Sequence, residues 1–174
     1  MRTFNKMGDQ GETSLLYGGR VSKSSPRPEA YGAVDEAMSA LGLARALSAK
    51  ARVKELLPLL QSELSTLCAE LATEPEHYEQ LQARGWVITE EMVSRLERWI
   101  DELEAQVEMP KAFILPGATA GSGALDLARA MIRTAERRAV ALWRRRMLKN
   151  THVLSYLNRA ADLVFVLARY EETC

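Results

Sequence analysis

An all-α bundle of five helices behind a long glycine-rich leading loop is the fold that the sequence predicts. Three observations lead there. After residue 28 apolar residues recur at helical spacing almost to the end, with no strand-like alternation and no fixed-period repeat. The chain has 174 residues, 47% apolar and 26% charged, enough for one ordinary globular core. Helices without a sheet can bury their apolar stripes only against one another, which makes a bundle. The whole chain, 1–174, reads as one domain.

Residues 1–28 stand apart. Gly8, Gly11, Gly18 and Gly19 precede Ser24, Ser25, Pro26 and Pro28, a density that reads as loop. Its Thr13, Ser14, Arg20, Ser22 and Lys23 give it an anion-binding character. The first helix follows to about residue 47, with Val34, Met38, Leu41 and Ala44 on one face. The second covers about 53–73, with Leu56, Leu57, Leu60, Leu64, Leu67 and Leu71 inward. Pro58 falls in its first turns, where proline is best tolerated, and Pro75 ends it. Thr89 is the expected N-cap of the third helix, with Glu90 and Glu91 at the positive end of its dipole. A Pro/Gly loop from Phe113 to Gly123 leads to a fourth helix, capped by Ser122 and running to about Lys149. Thr151 is the expected cap of a fifth, to about Glu171.

Composition excludes several classes. The 23 basic and 23 acidic residues cancel, which argues against a wholesale nucleic-acid coat. Two cysteines, Cys68 and the terminal Cys174, make no disulfide framework and fit a reducing, cytoplasmic setting. No apolar run approaches the roughly 20 residues that span a bilayer. Metal and nucleophile motifs are weak: Glu74 and His77 have the Glu-x-x-His spacing of di-iron bundles once only, across Pro75. Cys68 on a leucine-rich helix reads as a core thiol.

The fourth helix is the chemical anomaly. Between Arg129 and Lys149 it has eight basic residues and one acid, Glu136. Arg129, Arg133, Glu136 and Arg137 share one face, beside apolar Ala128, Ile132, Ala135 and Ala139. Guanidinium binds phosphate in fixed geometry, so the stripe is a candidate phosphate site; a solvated face with intersubunit salt bridges is the other reading. Arg144, Arg145 and Arg146 read as surface at the helix end. Asn158 and Asp162, poor helix-interior residues, share a face of the fifth helix and mark either a polar site or a satisfied hydrogen-bond pair. Asp35 and Glu36 open the first helix as dipole partners, Asp35 within reach of an arginine of helix four if the packing allows.

Five blocks in order carry a resemblance. They are Gly8-Asp9-Gln10-Gly11-Glu12-Thr13 with Gly18-Gly19-Arg20-Val21-Ser22-Lys23, then Ala30-Tyr31-Gly32-Ala33-Val34-Asp35-Glu36, then Phe113-Ile114-Leu115-Pro116-Gly117. The stretch from Arg129 to Arg138 and that from Tyr156 to Phe165 complete them. Together they resemble the PduO-type ATP:cob(I)alamin adenosyltransferases over nearly the whole chain. Three positions depart from that pattern: Met7 stands where the family has Thr, Ala118 where it has a second Gly, and Thr134 where it often has Arg.

The resemblance implies a ferritin-like homotrimer of five-helix bundles, with active sites between subunits. It implies transfer of the 5′-deoxyadenosyl group of ATP to the Co(I) of reduced cobalamin, releasing triphosphate. The corrinoid is then substrate and nucleophile, ATP arrives with Mg2+, and no protein residue need hold the metal. By position, Gly8, Asp9, Gly11, Thr13 and Lys23 would wrap the triphosphate. Arg133 and Arg137 would neutralise the leaving group, with Glu136 and Asn158 orienting the nucleotide or the arginines. Phe113 would lie against the corrin and favour loss of its lower ligand, with Asp162 also on the corrinoid. Asp35 would pair with Arg129 across the subunit boundary. A reductase or an adenosylcobalamin-dependent enzyme are the implied protein partners, with no nucleic acid and no membrane. A binding chaperone or sensor of the same fold is the alternative function, and Met7 is the feature that favours it.

Overall fold

A computed structural model describes residue 4 and residues 6–173. Its helices are α1 (Pro26–Leu47), α2 (Ala51–Leu71), α3 (Tyr78–Ala83), α4 (Glu90–Glu104), α5 (Ala120–Arg144) and α6 (His152–Glu171). The five long ones are those expected. The structure adds α3, one six-residue segment preceded by a 3-10 turn at Pro75–His77. It also corrects the leading loop. Glu12–Ser14 (β1) and Arg20–Ser22 (β2) pair antiparallel, Thr13 opposite Val21. Three-residue strands are too short to show alternation, and pairing across a turn makes them.

The long helices pack in the order α2–α1–α5–α6–α4, and α2 also touches α6. The α1–α5 seam is made of small side chains: Ala30, Ala33 and Ala37 on one helix and Ala128, Ala135 and Ala139 on the other, all buried. Small residues let two helix axes approach closely. Around this seam the leucines of α2 and of α6, with Ile132 and Tyr156, complete one apolar core. Helix α5 is thus gripped along one side, and its Arg133 and Arg137 face outward.

Two caps differ from expectation. Thr119, not Ser122, is the N-cap of α5; its hydroxyl accepts from the Ser122 N–H at 3.0 Å, and the Ser122 hydroxyl accepts from the Thr119 N–H at 3.0 Å. This reciprocal box needs both residues, so the sequence shows the pair but not which one starts the helix. At α6, Thr151 makes no side-chain cap; Asn150 Oδ1 accepts from the His152 N–H at 3.0 Å instead. Thr89 caps α4 as expected, accepting from the Met92 N–H at 3.3 Å. Helix α5 ends at Arg144, short of Lys149, where Arg146 takes a left-handed φ of 57°. Helix α2 starts at Ala51, so Pro58 stands two turns in and leaves the Lys54 carbonyl without its helical donor.

Buried polar groups fasten the frame. Arg27 donates to the Leu71 carbonyl at 2.9 Å and the Met147 carbonyl at 2.6 Å, closing the last turn of α2 and the chain after α5. Burial lowers its pKa, against the pull of Glu74 and Glu76. Glu63 of α2 receives Arg95 of α4 and the Tyr156 hydroxyl of α6, the latter at 2.8 Å. Tyr156 is pushed well above the usual phenol range, by burial first and by Glu63 second. No helix among the described residues is long and apolar enough to cross a membrane.

Candidate functional site

The hairpin and the turn before it enclose a cavity of ≈ 310 Å³, lined by Gly8, Thr13, Ser14, Arg20 and Lys23 together with Met7 and Glu12. Backbone bonds shape it: the Gly11 N–H donates to Gly8 O at 3.2 Å and the Lys23 N–H to Gly11 O at 2.9 Å. A Cβ at Gly8 would sit 3.0 Å from Lys23 Nζ, so a larger residue there would push the ammonium outward. Arg20 Nη2 donates to Met7 O at 2.8 Å and to Glu12 Oε2 at 3.2 Å. Met7 therefore serves the groove through its carbonyl, which any residue supplies. Asp9 is exposed and does not line the cavity.

The outward face of α5 is the second element. Arg133 is exposed and has no ion pair among the described residues. Arg137 Nη2 donates to its own neighbour Thr134 Oγ1 at 2.9 Å. Glu136, half-buried, accepts from Asn158 Nδ2 at 3.4 Å. Asn158 Oδ1 accepts from Arg159 Nη1 at 2.7 Å, and Arg159 continues to Asp162 at 3.4 Å and Glu97 at 3.0 Å. Helices α5 and α6 are thus joined by a polar line just beside the arginines. Arg138 is otherwise engaged, on Glu29 Oε2 at 2.6 Å and Glu29 O at 2.7 Å.

The third element is apolar. A cavity of ≈ 290 Å³ lies between the loop after α4 and helices α5 and α6, lined by Phe113, Ile114, Pro116, Arg129 and Phe165 among others. A second cavity, ≈ 360 Å³, opens beside Phe165 against Ile100, Met109, Asp162 and Val166. Phe113 is 91% exposed, a large ring held out in water by its loop. Arg129 is not ion-paired to Asp35 within the chain; its guanidinium lies 5.0 Å from the centre of the Phe165 ring. Asp35 is exposed on α1, beside Cys68. Burial, and then Asp35, push the Cys68 thiol up to about 12, so it is no nucleophile at neutral pH.

Two members lie beside the expected site residues without being among them. Phe165 separates the two apolar cavities and completes the 158, 162, 165 face at i, i+4, i+7. Arg169, 4% exposed, lines the Phe113 cavity while bound to Asp126 at 2.7 Å and Glu172 at 3.0 Å. Its partner Asp126 sits in the second turn of α5, and no local pattern links positions so far apart in the chain. No cluster of three or more His, Cys, Asp or Glu residues that could hold a metal occurs among the described residues. No hydrogen bond or ion pair among them joins the hairpin groove to the arginine face.

The chain is similar to known proteins over nearly its whole length. The family model described as cobalamin adenosyltransferase matches residues 3–171. The corrinoid adenosyltransferase PduO of Salmonella typhimurium is 39% identical, over 99% of this chain and 50% of that protein, so the chain spans about half of its length. The corrinoid adenosyltransferase of Bacillus subtilis is 41% identical over 97% of this chain and 86% of that protein. Among solved structures, a variant PduO-type ATP:corrinoid adenosyltransferase from Lactobacillus reuteri, complexed with cobalamin and ATP, superposes with a TM-score of 0.87. It is 32% identical and covers 97% of this chain and 92% of that one. By the extent of the family match and by fold, the chain belongs to the cobalamin adenosyltransferase family.

Proposed function

We propose that the chain transfers the 5′-deoxyadenosyl group of ATP to the Co(I) of a reduced corrinoid. In this reaction the Co(I) electron pair forms the Co–C5′ bond. The C5′–O bond breaks, and its electrons leave with triphosphate. The single observation that carries the reading is the face of α5. Arg133 has no ion pair among the described residues there, and the same helix presents Arg129 and an aromatic-lined apolar cavity about one turn away. Eight residues separate Arg129 from Arg137, about 12 Å along the axis, so one rigid helix carries an apolar seat and an anion clamp side by side.

The residues divide the work by their chemistry. Arg133 and Arg137 bind the departing phosphates and stabilise the charge that develops on them. Glu136 and Asn158, bonded to each other, hold that end of the site in one arrangement. Gly8, Thr13 and Lys23 line the groove that receives the triphosphate, Gly11 shapes it through its backbone bonds and Asp9 stands outside it, all within a loop of residues 1–28 that leads into the bundle of the same domain. Phe113 and Asp162 face the corrinoid, Phe113 excluding water from the lower side of the ring. Mg2+ would ride on the ATP phosphates.

The resemblance to the family supports a site completed between protomers. In this reading the hairpin of one subunit closes over α5 of the next in a homotrimer, and Asp35 of one meets Arg129 of the other. The alternative of a binding chaperone rests on Met7, which brings no hydroxyl to the groove and enters it through its carbonyl instead. The test is anaerobic: wild type and Arg133→Ala with reduced cobalamin, ATP and magnesium, scored by adenosylcobalamin formed. Wild type turns over repeatedly, while Arg133→Ala loses about a hundredfold in kcat, the scale of one missing charge-stabilising donor. Equal turnover by the two would remove Arg133 from the site.

A further inference from the structure

The hairpin has two ends with different surroundings. Its open end forms the groove with Gly8 and Lys23. Its turn lies on the connector between α2 and α4. Leu15 is buried there, and the Leu16 N–H donates to the Ala72 carbonyl at 3.1 Å. The Tyr17 ring stacks on His77, centroids 5.3 Å apart and planes 30° from parallel. The Arg84 guanidinium lies 5.8 Å from the same ring. Gly19 passes close to Glu74: a Cβ there would meet its Oε2 at 2.9 Å, so a side chain would displace the carboxylate. The Tyr17 hydroxyl is buried with no hydrogen-bond partner, so the ring and not the hydroxyl makes the attachment.

Three ladder pairs, Glu12 with Ser22, Thr13 with Val21 and Ser14 with Arg20, connect the two ends. A paired ribbon about 10 Å long transmits the position of its turn to its open end. We propose that Tyr17 is a positioning residue for ATP: seated on His77 and Arg84, it fixes the hairpin to the helical connector and so holds Lys23 and Gly8 at the place the triphosphate occupies. This rests on the functional reading above and adds to it a residue outside the groove.

The experiment compares wild type, Tyr17→Phe and Tyr17→Ala as full-length chains. Calorimetric titration with magnesium ATP gives Kd, and the anaerobic assay gives kcat and both KM values. Tyr17→Ala raises Kd and KM for ATP about tenfold, with kcat within about twofold and the KM for cobalamin unchanged, the pattern of lost binding rather than lost chemistry. Tyr17→Phe keeps the ring and behaves as wild type. Should Tyr17→Ala lose its helical circular dichroism, Arg84→Ala takes its place with the same direction and a smaller rise. The proposal is overturned if Tyr17→Ala binds ATP as wild type does, if Tyr17→Phe fails equally, or if kcat and the cobalamin KM fall with it. Wild type that binds no ATP overturns the functional reading as well; intact wild-type binding with an indifferent Tyr17→Ala overturns this proposal alone.

Discussion

Glu70 illustrates how one side chain sets behaviour that the fold as a whole reports. One carboxylate oxygen accepts the Ile88 N–H at 2.8 Å, and the other is buried with no partner. Burial pushes the carboxyl up to about 7, against the lowering pull of the Ile88 N–H and Asn150. A folded-state pKa above the unfolded one means that the native chain holds the extra proton between about 4.5 and about 7. Stability contributed by that proton is complete below about 4.5 and is lost as pH rises to about 7. Chemical denaturation at a series of pH values should therefore show a decline on the order of 3 kcal/mol across that window. Glu70→Gln should flatten it. None of this is legible in the sequence, because Glu70 occupies an ordinary position in a leucine-rich helix. Its partner Ile88, and Asn150 bonded in turn to the Ile88 carbonyl, come from distant segments that only the packing assembles. The arginines of α5 were legible for the opposite reason: eight cations against one acid on one helix is a local anomaly.

At the scale of elements, periodicity located the five long helices because each runs for at least 15 residues, several turns of signal. It failed for the short pieces. The two strands and α3 hold three, three and six residues, and tertiary docking rather than their own pattern makes them. Caps were legible as residue types: Thr89 and Thr151 stand at the N-cap positions expected, whereas Thr119 takes the place expected of Ser122 and Asn150 makes the bond expected of Thr151. Thr119→Ala removes one half of the α5 box and should cost about 1 kcal/mol by thermal or urea unfolding. Thr151→Ala, on an exposed residue with no cap bond, should cost almost nothing.

For the whole molecule, the decisive question is assembly. The site elements described in one chain do not meet through any bond, and Asp35 is exposed on α1. Sedimentation equilibrium should return three times the chain mass of 19.4 kDa. Asp35→Arg should place like charges at the proposed boundary, lowering the assembled fraction and activity together. Arg129→Asp added to it should restore part of both, whereas independent losses would deny the pairing. The order of the blocks along the chain made this architecture readable through resemblance, while composition alone reached only a helical bundle.

The alanine seam between α1 and α5 sets where change is tolerated. No side chain on it touches ATP or corrinoid in the reading above, yet it is the surface against which the arginine helix is aligned. Ala135→Leu adds three carbon atoms where none fit, and overpacking of this kind costs about 1–3 kcal/mol. A helix cannot absorb that locally, so the displacement reaches Arg133 and Arg137 undiminished. Saturation mutagenesis scored separately for abundance and for adenosylcobalamin yield should therefore find a band of inert but folded variants along this seam. The alanines there act as a spacer of fixed thickness, and the enzyme's tolerance for drift is narrowest where its side chains are smallest.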